Sequence, residues 1–121
     1  MTRALVACLA VLAVLPVTAA SAKSITCSYA AEQELTFVVP KKIGGVPQID
    51  FDYPSKITNF SFRDGNLFLM AVDESEKDRL RLVISAQQDK QKSIYAGQIV
   101  TDAGGNQLMI DNGPVTCKVK D

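Results

Sequence analysis

The residues with the most obvious chemical capacity are Asp50 and Asp52 in "IDFDY", Arg79 and Arg81 in "DRLRL", the acidic run Asp73 to Asp78, and the cysteines. On an extended strand, Asp50 and Asp52 share a face about 6 to 7 Å apart, a separation at which two carboxylates can act as the acid and base of a glycosidase. Both also sit on the polar side of an amphipathic stretch, where any solvated residue serves. The chain has no histidine. That removes Ser-His-Asp and Cys-His nucleophiles and the commonest metal ligand. The run Asp73-Glu74-Ser75-Glu76-Lys77-Asp78 lacks the central glycine and alternating oxygens of an EF-hand, and reads as a solvated hairpin tip. Asp102-Ala103-Gly104-Gly105-Asn106 carries glycines but no following lysine or helix start, so it reads as a turn and not a phosphate cradle. No cofactor and no catalytic set is expected. Arg79 and Arg81 project from one strand face, which makes them either a soluble surface or a stripe that docks a partner.

The elements that would position these groups begin after a leader. Arg3, the apolar run Ala4 to Leu15, the breaker Pro16 and a small-residue tail are the parts of a secretory signal peptide. Ala20-Ser21-Ala22 is the favoured cleavage site, with Thr18-Ala19-Ala20 second, so residues 1-22 form the leader and 23-121 a single domain starting at Lys23. The apolar run is about 12 residues, short of the roughly 20 that span a bilayer, so no transmembrane segment is expected in the mature protein. Leu5-Val6-Ala7-Cys8 has the letters of a lipobox, but most of the apolar core follows Cys8 instead of preceding it. Lipidation at Cys8 is the alternative to cleavage after Ala22. The expected location is the bacterial periplasm or the medium.

Cleavage removes Cys8 and leaves Cys27 and Cys117. Two cysteines in an exported chain most simply form a disulfide, and two without histidine cannot complete a zinc site. The bond would close a loop of 117 − 27 = 90 residues, to which chain entropy assigns about 4 to 5 kcal/mol. For a domain of about 99 residues, whose total stability is of order 5–15 kcal/mol, that is a large share.

With 47% hydrophobic and 21% charged residues, the chain is too apolar to be disordered. Loss of Arg3 leaves 12 basic against 13 acidic residues, a net charge of −1, so nothing electrostatic favours nucleic acid or an anionic membrane. The hydrophobic period is two almost throughout. Strands are expected at Ile25–Tyr29, Leu35–Val39, Ile49–Tyr53, Lys56–Arg63, Leu67–Val72, Arg79–Ile84, Ile94–Thr101, Gln107–Ile110 and Val115–Val119. Turns are expected at Asp64-Gly65-Asn66, Asp102 to Asn106 and Asp111 to Pro114, and a helical turn is possible at Ala30–Glu34. Leu80, Leu82 and Ile84 should face inward, and Leu67–Val72 should be buried on both sides or nearly so. The fold class is all-β: a small antiparallel meander of about eight strands curled into a closed barrel, with a sandwich as alternative, its N- and C-terminal strands joined by the disulfide.

"ITCSYAAEQELTFVVP" and "GPVTCKV" resemble the frame of small periplasmic MliC/PliC-type inhibitors of c-type lysozyme. That resemblance implies an exported barrel with one cysteine in an early strand and another at the end, and it carries over only Cys27 and Cys117, as framework. The inhibitory Ser-Gly-x-x-Tyr signature is not present; Ser85 and Tyr95 stand at a different spacing. The expected function is a binding or inhibitor module for an envelope protein or glycan, with Arg79 and Arg81 as the docking stripe. A structural envelope protein and a carboxylate-dependent hydrolase are the alternatives. Mass spectrometry of the exported protein should give an N-terminus at Lys23; retention of residues 1 to 22 would overturn the leader, and a diacylated Cys8 would replace cleavage with lipid anchoring.

Overall fold

The computed structural model describes residues 22–121, so the leader, Cys8 and the candidate anchor lie outside the described residues except for Ala22. Seven strands form one antiparallel sheet: β1 (Ser24–Tyr29), β2 (Gln33–Val38), β3 (Ser55–Arg63), β4 (Asn66–Asp73), β5 (Leu80–Gln88), β6 (Ile94–Asp102) and β7 (Ile110–Lys120). Their order is β2-β1-β7-β6-β5-β4-β3, curled into a half-barrel. The closed barrel of about eight strands is therefore corrected to an open sheet of seven. The first and last strands do meet, because β1 pairs with β7 from Ser24↔Lys120 to Tyr29↔Val115. The break lies instead between β2 and β3.

Proline composition explains that break. The connection from Val39 to Pro54 carries Pro40, Pro47 and Pro54, each of which removes a ladder donor and restrains the residue before it. The expected strand Ile49–Tyr53 does not form. Its alternation is nevertheless real: Ile49 and Phe51 pack half-buried on the core while Asp50 and Asp52 stay exposed. Across the break the rings of Phe37 on β2 and Phe60 on β3 meet edge to face, with centroids 5.8 Å apart. Side chains span the gap that backbone hydrogen bonds leave open.

The second correction is at β7. Gln107 to Met109 are not strand, and the expected turn Asp111 to Pro114 is part of an 11-residue strand. Val119 N–H donates to Ser93 O, which makes the odd residues of β7 the hydrogen-bonded partners of β6 and turns the even ones toward β1. Pro114 is even, and β1 ends opposite Val115. Its missing N–H thus falls where no ladder partner exists, the position at which a sheet tolerates proline.

Inward residues from every strand make the core, with Ile25, Cys27, Leu69, Ala71, Ile84, Ala86 and Cys117 fully buried. Cys27 and Cys117 are directly opposed, 3.9 Å apart at Cα, and their sulfurs are bonded. The pair is a non-hydrogen-bonded one, where side chains of adjacent strands stand closest. The curl is crowded on its concave side, and small residues occupy the tightest row: Ala86 opposes Gly97, whose added Cβ would stand 2.0 Å from Ser85 O. Ala30–Glu34, where a helical turn was the alternative, holds a hairpin loop that leads into β2, with Ala30 and Glu32 at positive φ. Asp64-Gly65 makes the tight β3–β4 turn as its residue types require, both at positive φ.

Gly97→Ala should destabilise the domain by roughly 1 to 3 kcal/mol, because β5 backbone must retreat from the new methyl. Urea unfolding of the disulfide-bonded protein measures this; an unchanged midpoint would show that the curl does not depend on that close approach.

Candidate functional site

Three connections gather at one end of the sheet: the β4–β5 loop, the β6–β7 loop of residues 103–109, and the Tyr53-Pro54 end of the long linker. Arg79 and Arg81 hold them together. The outward stripe expected of both arginines does not form. In the structure their side chains are only 12% and 9% exposed and both are ion-paired. The cause is a register shift in β5: Ala71 opposes Leu82 while Val72 opposes Leu80, so Arg81 is an extra residue. The same shift turns Leu80, expected inward, to the surface.

Arg79 grips Asp102 with two donors, Nε to Oδ2 at 2.7 Å and Nη2 to Oδ1 at 3.1 Å. Its remaining capacity goes to backbone: Nη2 donates to Gly104 O at 2.8 Å and Gln107 O at 3.3 Å, and Nη1 to Gly105 O. Arg81 donates Nε and Nη2 to Asp73 Oδ2 at 2.9 and 2.7 Å. Its Nη1 reaches Asp102 O at 3.2 Å and Gly104 O at 2.6 Å. The ring of Tyr53 lies 5.4 Å from the Arg81 guanidinium carbon, a cation–π contact.

The carboxylates in turn order the loops. Asp73 Oδ1 accepts Ser75 N–H and Glu76 N–H, both at 2.9 Å, and so shapes the start of the β4–β5 loop. Asp102 Oδ1 accepts Gly104 N–H and Met109 N–H, both at 3.0 Å, and so clamps the two ends of the 103–109 loop. Gly104 is buried with its carbonyl shared by both guanidiniums, and a Cβ there would stand 1.8 Å from Gln107 O. Only glycine fits. The acidic run is therefore divided: Asp73 is committed inward, whereas Glu74, Glu76 and Asp78 remain exposed as a hairpin tip would have them.

What this scaffold presents is apolar. Leu108, Met109 and Ile110 are 66%, 63% and 62% exposed at the end of the clamped loop. Below them the outer face of the sheet carries Phe68, Met70 and Val72 on β4, Leu80 and Val83 on β5, and Val100 on β6; Met70, Val83 and Val100 form one cross-strand row. β4 is thus fully buried on one side and half-buried at Met70 and Val72 on the other. Elsewhere the same face is mostly polar, with Ser24, Thr26, Ser28, Thr36, Thr116, Lys118 and Lys120, though Val38 and Ile94 also lie on it. Period-two reading missed this surface because it took apolar residues on both faces of β4 as a sign of double burial.

The other candidates do not come together. Asp50 and Asp52 lie in the irregular linker, so strand spacing does not apply to them. Tyr29 is pushed above its ordinary range by burial and then by the Asp52 carboxylate. Ser85 is exposed on the outer face, whereas Tyr95 is buried against Phe62 on the inner one. Ala22 and Lys23 lie exposed before β1.

Backbone donation from Glu76, then the Arg81 and Ser75 hydrogen bonds, pulls Asp73 down to about 2. Arg79 first, then the Met109 N–H, holds Asp102 well below the carboxylate range. Folded values below the unfolded one mean that these carboxylates stabilise the fold fully above about pH 4 and lose that contribution as pH falls toward 2. Melting temperature should therefore drop over that window, and Asp102→Asn should lower it at pH 7 while flattening the acid decline. An identical acid slope in wild type and Asp102→Asn would show that this carboxylate does not govern it. No family model, curated protein or solved structure was found to match this chain.

Proposed function

We propose that this chain is an exported binding module that docks an envelope protein through the 103–109 loop. The observation that carries this reading is the exposure of Leu108 and Met109 on a loop whose backbone is fixed by Arg79, Arg81 and Asp102. Exposed apolar side chains cost solvation in the free protein and release it on docking. A loop already ordered by buried ion pairs has little conformational entropy left to lose. The tip offers aliphatic and thioether surface, which fits a protein better than a glycan. Arg79 and Arg81 serve this module from beneath, as the groups that position the tip.

Export is supported by the leader pattern together with a disulfide that joins the first and last strands. No helix among the described residues is long and apolar enough to cross a membrane. The cysteine frame resembles that of inhibitors of c-type lysozyme but lacks their inhibitory signature, so that enzyme enters only as one bait among others. Capture from an envelope fraction by the folded, disulfide-bonded domain should recover a defined protein. Leu108→Asp with Met109→Asp should abolish capture while shifting stability by no more than about 0.5 kcal/mol, as for other surface changes. Undiminished capture by that double variant would overturn the loop as the docking surface. Arginine variants are unsuitable here, because each leaves a buried carboxylate unpaired and disturbs the fold first.

A further inference from the structure

The end of the sheet opposite the clamped loops supports a second inference, independent of the loop tip. Lys41 and Lys42 follow β2, Lys90 and Lys92 lie in the β5–β6 loop, and Lys118 and Lys120 close β7. The register gathers them: Val38 opposes Ser24, Ser24 opposes Lys120, and Lys118 opposes Ile94 at the start of β6. We propose that this end rests on an anionic phospholipid surface, with the Ile43 side chain seated among the headgroups.

A mature net charge of −1 hides how the topology divides that charge. At the lysine end, Lys23 is paired with Asp121 and Arg63 adjoins Asp64, which leaves the six exposed lysines against Asp89. At the other end, Glu32, Glu34, Glu74, Glu76, Asp78 and Asp111 are exposed against Lys56 and Lys77. Along β7 the distance from Asp111 to Lys118 is about 24 Å, more than two Debye lengths at about 0.1 M salt. A surface touching one end therefore meets a cation and not a neutral protein. The lysines span the adjacent strands from β2 to β5, about 20 Å across. Clusters of about four to eight such residues recognise anionic lipid, each adding roughly a fivefold gain near the surface.

Ile43 favours a bilayer over a carbohydrate polyanion. It is 98% exposed, at a turn closed by Gly45 N–H donating to Lys42 O at 3.0 Å. Gly44 supplies the positive φ, 81°, in the third position of that turn. The turn holds the isoleucine outward beside Lys41 and Lys42, with Val38 and Val46 also exposed nearby in the chain. Aliphatic groups flanked by lysines can insert at the boundary of headgroups and acyl chains. A glycan offers them no comparable apolar phase.

Flotation with vesicles tests this on the folded, disulfide-bonded protein. Phosphatidylcholine containing about one third phosphatidylglycerol should bind it at ~50 mM salt and release it at ~500 mM, and pure phosphatidylcholine should not bind it. Lys41→Glu with Lys42→Glu should weaken binding by at least about 25-fold, with an unchanged melting profile. Ile43→Asp should weaken it by about tenfold. Glu34→Lys with Asp111→Lys, at the far end, should change it by less than about twofold. Absence of binding to the anionic vesicles at low salt would overturn the proposal, as would equal binding to phosphatidylcholine. A far-end variant that strengthens binding as much as the lysine variant weakens it would also overturn it, by making net charge the determinant. Retention on heparin without binding to vesicles would overturn it and give this end to a glycan. Leu108→Asp with Met109→Asp lies at the other end and should leave vesicle binding intact, so this reading and the loop reading can fail separately.

Discussion

Two guanidinium groups hold one end of this molecule in a single arrangement. A cation this enclosed is stable only when its donors are matched, and here the matching does structural work at a distance. Arg79 takes both oxygens of Asp102, Arg81 takes one oxygen of Asp73, and the two share the carbonyl of Gly104. Because the carboxylates also accept backbone N–H groups from the loops that follow them, each ion pair converts a flexible connection into an extension of its strand. Loss of any one member leaves several others without partners. The bidentate geometry also explains why lysine could not replace Arg79: an ammonium has three donors, whereas Arg79 meets both oxygens of Asp102 and three backbone carbonyls.

The remaining sheet is organised by its curl. A half-barrel narrows on the inside, so inward positions need small residues where strands crowd and large ones where they spread. Ala71, Ala86 and Gly97 occupy the crowded rows, while Phe37, Phe60, Phe62 and Phe51 fill the side where the ladder is missing. Aromatic rings suit that position, since they cover a wide gap with few degrees of freedom. The outer face is under no such constraint. Its row Met70, Val83 and Val100 is half-buried and lies outside the core cluster.

Much of this was legible in the residues, and the exceptions have identifiable causes. The Cys27–Cys117 pair followed from counting, and the Asp64-Gly65 turn from its tolerance of positive φ. Ile49 to Tyr53 alternates as a strand does, and its side chains do alternate between core and solvent. The flanking prolines deny it a ladder, which the hydrophobic pattern does not register. Asp111 to Pro114 has turn chemistry, yet the strand continues because Pro114 falls on an unpaired stretch of β7. Arg79 and Arg81 were misplaced because one added residue at Arg81 breaks the period on which facing was judged. Their partners stand 8 and 23 residues away, beyond any local pattern. The signal available was an aspartate closing each of two apolar strands, Asp73 and Asp102, at positions where a turn alone needs no buried charge.

The meeting of the first and last strands has a topological consequence. Starting at β3, the sheet reads β3, β4, β5, β6, β7, β1, β2 without a crossover. Among the described residues the only step not made by an adjacent connection is β7 to β1, and there Lys23 Nζ lies 3.9 Å from Asp121 Oδ1. The one connection that joins non-neighbours is the proline-bearing linker between β2 and β3. The architecture is thus a circular permutation of a simple up-and-down meander. A chain cut within residues 40–48 and joined from Asp121 to Lys23 would keep every strand pair while making each one local in sequence. Such a chain would have a lower contact order and would fold faster to the same sheet.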